Sequence, residues 1–193
     1  MDENDPQRSY LLSAWQRVCL IMKDKFAPFL NQVLPHILKQ ASLKAEMKIS
    51  GQDEGTDIEG MLEEVGTVTN KKANIMTDEI EEKDSAIQML VVFIDELGKS
   101  FAPYIDDVGK IFLGLTQFYA SDNIRISSCG ALPRLIKCAK EAQTGHISGV
   151  HDMAKAYANN ILDAMDTETE TECLIAQAQA IKEILEEAGE GLL

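Results

Sequence analysis

Aromatic residues are scarce in this sequence: phenylalanine, tyrosine and tryptophan make up 6% of 193 residues, and there is one tryptophan. Turn formers are few as well, with 5 prolines and 12 glycines. A β-sandwich needs a turn signal between each pair of short strands, so that class is disfavoured. Cations are outnumbered, 18 Lys and Arg against 32 Asp and Glu, for a formal charge of −14. A phosphate backbone rewards cationic surface, so direct nucleic-acid binding is not expected, and anionic membrane surfaces are disfavoured for the same reason. No apolar run reaches the length of a membrane span, and MDENDPQRSY lacks the cationic and apolar regions of a signal peptide. The four cysteines, Cys19, Cys129, Cys138 and Cys173, form no C-x-x-C pair. They read as buried reduced thiols of a cytosolic or nuclear protein.

What is present is apolar residue in helical order. Hydrophobic residues make up 45% of the chain, enough to build a core. Seven stripes with three- and four-residue steps can be traced, with no convincing strand. The first carries Tyr10, Leu11, Trp15, Val18, Cys19 and Met22, and the second Phe29, Leu30, Val33, Leu34, Ile37 and Leu38. The others lie around Ile87–Leu97, Tyr104–Leu115, Cys129–Ile136, Val150–Met165 and Leu174–Ala188.

The helices pair, and the pairs repeat. FAPFLNQVLPHIL, Phe26 to Leu38, aligns with FAPYIDDVGKIFL, Phe101 to Leu113, at an offset of 75. The third stripe aligns with the fifth at an offset of 42, placing Lys83 over Arg125 and Leu90 over Leu132. A period of about 40–47 residues made of two helices is that of HEAT and armadillo arrays. The larger offset is then one period plus an insertion of 33 residues, which coincides with an acidic segment after Lys44. Asp122–Arg125 followed by Ala131–Pro133 favours HEAT, because an arginine opening a helix can bond to the neighbouring repeat. Prolines within helices, Pro35 and Pro133, favour it as well.

The expected fold is therefore all-α, a HEAT-repeat α-solenoid of about three and a half helical hairpins. The hairpins are placed at 7–44, 79–121 and 122–167, with the first helix of a further repeat at 168–193. Residues 45–78 read as a long acidic loop, with a short amphipathic helix around Ile58, Met61, Leu62 and Val65 as the alternative. A simple helix bundle is the bland alternative to the array. Because arrays need polar caps and both ends here carry apolar stripes, the chain reads as part of a longer solenoid.

SYLLSAWQRVCLIMKDKFAPFL, EEKDSAIQMLVVFIDELGKSFAPYI and LTQFYASDNIRISSCGALPRLIKCAKEA resemble the middle of nuclear transport receptors of the importin-β superfamily, nearest its importin-5 branch. The likeness runs from about Ser9 to Leu193. FYASDNIR stands where the branch has an aromatic pair, an acidic turn and Val-Arg, with Ile in place of Val. The resemblance implies a superhelical receptor that carries basic cargo, ribosomal or histone-like, into the nucleus. It implies release by Ran-GTP, passage along phenylalanine-glycine nucleoporins, and shuttling between cytoplasm and nucleus. It further implies that the second helix of each hairpin lines a concave face. A HEAT scaffold of a signalling or phosphatase-type complex is the alternative function.

Negative charge is concentrated rather than spread. From Glu46 to Glu82 there are 11 acidic and 3 basic residues, and from Asp163 to Glu190 there are 9 acidic residues and one lysine. On the second helices, spacing directs Asn31, Asp106, Lys110, Gln117, Asp152, Asn159 and Asp163 away from the apolar stripes. Carboxylates suit lysine-rich signals, and amides can bond the backbone of an extended peptide. These side chains, Lys110 excepted, are the cargo-binding candidates, against the bland reading of a solvated helix face. Asp53, Glu54, Asp57, Glu59, Glu63 and Glu64 are the acidic-loop candidates. The spacing of Asp53, Asp57 and Glu59 fails the calcium-loop pattern. No nucleophile elbow, phosphate-binding glycine loop or metal motif occurs, so neither an enzyme nor a cofactor is expected, and the mechanism is non-covalent.

Overall fold

A computed structural model describes residues 8–42, 62–142 and 147–189. Among them are seven α-helices and no strand: α1 (Arg8–Met22), α2 (Leu30–Ser42), α3 (Leu62–Leu97), α4 (Ile105–Leu115), α5 (Asp122–Ala142), α6 (Ile147–Met165) and α7 (Thr171–Ala188). The helices α1, α3, α5 and α7 form one layer, each packed on the next, and α2, α4 and α6 are the second helices of the repeats. Each second helix packs on the first helix of the following repeat, α2 on α3, α4 on α5 and α6 on α7. A hairpin therefore buries its stripes only when its neighbour is present, which is the physical basis of a solenoid. No helix of the described residues is long and apolar enough to cross a membrane.

The repeated Phe-Ala-Pro motif builds the corner between helices. In both copies it lies in a 3-10 turn, Lys23–Phe29 and Gly98–Tyr104. Phe26 and Phe101 are fully buried, whereas Pro28 and Pro103 are exposed. Proline suits this place because its missing N–H lies ahead of the second helix and its fixed φ is compatible with helical geometry. Each corner also opens on a left-handed residue, Lys23 at φ 49° and Gly98 at φ 44°. Those positions are 75 residues apart, the same offset as the motif. A side chain there carries a steric penalty, so Gly98→Ala is expected to destabilise the fold by about 1–2 kcal/mol. The midpoint of urea unfolding measures this, and an unchanged midpoint would mean the corner tolerates a β-carbon.

The core runs without a break through the repeats. Phe26 sits 6.0 Å from the Trp15 ring and 5.3 Å from Phe93 of α3, joining the first hairpin to the second. Several hydrogen bonds between side chains of adjacent repeats fall at separations of 39–47 residues, among them Gln88 to Ser127, Arg134 to Asp95, and Lys140 to Glu187. These links reproduce in space the period read from the sequence. Pro133 lies inside α5 and Pro35 inside α2. Just beyond Pro133, Arg134 folds its Nε onto the Gly130 carbonyl at 3.1 Å.

One expectation is corrected. Residues 62–78 are not loop: α3 begins at Leu62 and continues through Leu97, 36 residues in all. The sequence here is rich in poor helix formers, Gly66, Thr67, Thr69, Asn70 and Asn74. Helix propagation from an anchored segment avoids the cost of a new nucleus, so the packed half beyond Glu79 carries the preceding turns with it. Glu63 and Glu64 thus stand in the first turn of α3. Asp53, Glu54, Asp57 and Glu59, with the rest of 45–61, lie outside the described residues.

Candidate functional site

Two arrangements stand out, an exposed face on the second helices and a set of buried cations that hold successive repeats together. The buried set is more sharply defined. Lys83 and Arg125, aligned in sequence at an offset of 42, are only 3% and 7% exposed. Lys83 Nζ donates to the Ala41 carbonyl near the end of α2 and lies 5.4 Å from the centre of the Phe118 ring, beyond α4. Arg125 repeats the pattern one repeat later. Its Nη1 donates to the Phe118 carbonyl at 3.1 Å, and its Nε donates to Glu168 Oε2 at 2.8 Å, beyond α6. Nη2 donates to Asp122 Oδ1 at 2.7 Å and to Glu168 Oε1 at 3.3 Å. Each cation therefore ties the end of the second helix before it to the end of the second helix after it.

Glu168 completes this latch. Its Oε1 accepts the backbone N–H groups of Thr169 and Glu170, each at 3.0 Å, which fixes the turn leading into α7. Burial pushes the Glu168 carboxyl up. The amides of Glu170 and Thr169 and the Arg125 guanidinium outweigh burial and hold it below the usual carboxylate range. A lowered folded pKa contributes stability above the unfolded value, about 4.3, and loses it as pH falls through the folded value. Glu168→Gln is therefore expected to flatten the acid limb of the stability curve, read by denaturant unfolding between pH about 7 and about 3. An acid limb as steep as that of the unaltered protein would place the acid sensitivity elsewhere.

The thiols near the latch are inert. Burial pushes Cys129 up to about 12, with Cys173 and Glu168 adding to it, and burial raises Cys173 as well. All four cysteines are buried and unbridged. Among the described residues no group of three or more His, Cys, Asp or Glu side chains is placed to hold a metal ion.

The second-helix candidates are all exposed. Asn31 stands in the first turn of α2, Asp106 in the first turn of α4, and Asp152, Asn159 and Asp163 on α6, all exposed. Gln117 is exposed too, but it lies just past α4, which stops at Leu115. There Thr116 Oγ1 lies 3.0 Å from the Leu113 carbonyl and 2.9 Å from Asn160 Oδ1, with one hydroxyl hydrogen to share between them, where the chain turns towards α5.

Two contacts on this face escaped sequence reasoning. The Tyr104 hydroxyl donates to Asn31 Oδ1, linking the starts of α4 and α2. That bond uses the amide oxygen and leaves the Asn31 Nδ2 hydrogens for a ligand. Between α4 and α6, Gly109 makes room for Tyr157: a β-carbon at Gly109 would run into the Tyr157 hydroxyl. Burial, with the Asp106 carboxylate beside it, pushes Tyr157 up to about 12. The signals available were Tyr104 and Asn31 in matched copies of the repeated motif and a glycine in an otherwise apolar helix. The face is also less uniformly acidic than its aspartates suggest. Lys110 lies 4.0 Å from Asp107, and exposed Lys155 follows Asp152 by three residues.

Comparison with known proteins places these features in context. The chain is 31% identical over 140 residues to importin subunit beta-3 of Saccharomyces cerevisiae, covering 72% of this chain and 13% of that protein. It is 22% identical over 197 residues to the probable importin-5 homolog of Dictyostelium discoideum, covering 97% of this chain and 17% of the relative. Its fold matches the crystal structure of Kap121p with a TM-score of 0.78 at 22% identity, over 100% of this chain and 18% of that one. Kap121p bound to Pho4p matches at 0.77 and 23% identity, over 98% of this chain and 18% of that one, and other crystal structures hold Kap121p with Nup53p or the SUMO protease Ulp1p. No family model matches the sequence.

Proposed function

This chain belongs to the importin-β family, in the branch of importin-5 and Kap121p, and from that premise we propose that its second-helix face binds lysine-rich import signals. The observation that supports the reading is the exposure of Asn31, Asp106 and Asp152 near the starts of three successive second helices. One such residue on each second helix offers an extended peptide one contact per repeat. The carboxylates select ammonium groups, while the Asn31 Nδ2 donates to a peptide carbonyl. Gln117, Asn159 and Asp163 extend the same surface toward the ends of α4 and α6. That Kap121p crystallises with Pho4p, Nup53p and Ulp1p supports a protein-binding role for this type of array.

The chain spans 13% and 17% of the lengths of its two curated relatives, so the receptor's full cycle involves much more than these repeats. In that cycle the receptor binds basic cargo in the cytoplasm, passes the pore along phenylalanine-glycine nucleoporins and releases cargo on binding Ran-GTP. The role of this stretch is recognition by non-covalent contact, with no catalytic step. Glu63, Glu64 and the acidic residues Asp53, Glu54, Asp57 and Glu59 supply a second anionic region that attracts basic partners from a distance.

An exposed ion pair contributes at most about 1 kcal/mol, so affinity rests on several pairs acting together and falls with salt. Titration with a lysine-rich peptide should show binding that its alanine-substituted control lacks. Replacing Asp106, Asp152 and Asp163 together by asparagine is expected to weaken it by about tenfold or more, since 1.4 kcal/mol is tenfold. Equal binding of the two peptides, or indifference to the triple replacement, would contradict the reading.

A further inference from the structure

The stretch from the end of α6 into the first turn of α7 reads Asp-Thr-Glu-Thr-Glu-Thr-Glu, Asp166 to Glu172, an alternation of hydroxyls and carboxylates that the transport reading does not use. We propose that Thr169 is a phosphorylation site for a threonine kinase of the class that takes acidic substrates. Such enzymes present cationic grooves to the substrate, so carboxylates at the residues just after the acceptor assist docking. Thr169 is followed by Glu170 at the next position and Glu172 at the third, and both are exposed.

The structure separates Thr169 from its neighbours. Thr169 is exposed, and its hydroxyl makes no hydrogen bond within the described residues. The Thr167 hydroxyl donates back to the Ala164 carbonyl, at 3.5 Å. Thr171 is followed by Glu172, Cys173 and Leu174, so its third position carries no carboxylate. Backbone shape favours Thr169 as well. Glu168 to Glu170 lie outside any helix, and Glu170 is extended at φ −82° and ψ 123°. A kinase groove takes its substrate in an extended form, and this stretch is already close to it.

Beyond the acceptor, Glu172 lies in the first turn of α7, which must open for it to join the extended segment. The start of α7 has no side-chain cap from Glu170. An uncapped first turn is the part of a helix that frays most readily. The turn before it stays anchored, because the Glu168 carboxylate is held by Arg125. Anchored on one side and able to fray on the other, the segment presents Thr169 Oγ1 outward.

The reaction is phosphoryl transfer from ATP. A bond forms between Thr169 Oγ1 and the γ-phosphorus as the bridging bond to the β-phosphate breaks. The hydroxyl proton passes to the kinase's base, and ADP leaves. The new dianion stands beside the amides that open α7, an end of the helix that favours negative charge.

The test uses the full chain with casein kinase 2 and magnesium ATP, with each phosphate assigned by peptide fragmentation. Ser50, Thr56 and Thr167 also have an acidic residue at the third position, so the assignment must be residue by residue. Phosphate at Thr169 that disappears in Thr169→Val is expected. Glu172→Gln should slow modification of Thr169 by about tenfold, the loss of one charge-assisted contact. Reaction complete at the other sites with Thr169 unmodified would overturn the proposal, as would an unchanged rate at Thr169 in Glu172→Gln. Circular dichroism of both variants confirms that the helices remain formed.

Discussion

Arg125→Ala is expected to destabilise the array by about 3–5 kcal/mol, the largest effect of any single replacement of a charged residue. The side chain is nearly enclosed, and it bonds Asp122, the Phe118 carbonyl and both oxygens of Glu168. Removing it strands a Glu168 carboxylate whose side chain is only 6% exposed. The turn from α6 to α7 loses its anchor at the same time, since Glu168 also holds the Thr169 and Glu170 amides. Domains of this kind have about 5–15 kcal/mol in total, so the loss is a large share of it. The double variant Arg125→Ala with Glu168→Gln should recover part of the stability, because it removes the stranded charge as well. Denaturant unfolding measures both. A loss below about 1 kcal/mol for Arg125→Ala would show that the latch behaves as an exposed ion pair.

Phe93→Ala is expected to cost about 3–5 kcal/mol, through lost burial and the cavity left behind. Phe93 is fully buried in α3, and its ring packs on Phe26 in the first corner. The contact crosses from one hairpin to the next, so the damage should be local. Amide hydrogen exchange is expected to quicken in α1 and α2 more than in α5 to α7, as near-neighbour coupling in a repeat array requires. Phe26→Ala combined with Phe93→Ala should cost less than the two separate losses together. Equal acceleration across all seven helices would instead point to a single all-or-none unit.

Much of this architecture was legible because the repeat writes the same physical demand twice. Phe26 and Phe101 occupy equivalent buried corners, and Lys83 aligns with Arg125 at the repeat offset, although the alignment alone does not show that both cations are enclosed. An arginine that opens a helix can bond between neighbouring repeats, and the partner of Arg125 is Glu168 of the following turn. The start of α3 was hidden because Gly66, Thr67, Asn70 and Asn74 disfavour helix locally, while their conformation is set by the packed half of the same helix. On the second-helix face, periodicity identified which side chains avoid the core. It carried no information on the rotation between repeats, which decides that Tyr104 meets Asn31 and that Tyr157 meets Gly109. The apolar stripe ends at Leu115, as α4 does, but Gln117 lies past the helix, where Thr116 contacts the neighbouring repeat at Asn160.

The most direct test of the central claim is to locate a bound peptide on the array. A lysine-rich import-signal peptide carrying a photoreactive group is mixed with the chain, irradiated, and its adducts assigned by peptide fragmentation. The account predicts adducts along α2, α4 and α6, close to Asn31, Asp106 and Asp152, that are suppressed by excess unlabelled peptide and by salt. Suppressible adducts confined to α1, α3 and α5, or to residues 43–61, would contradict it.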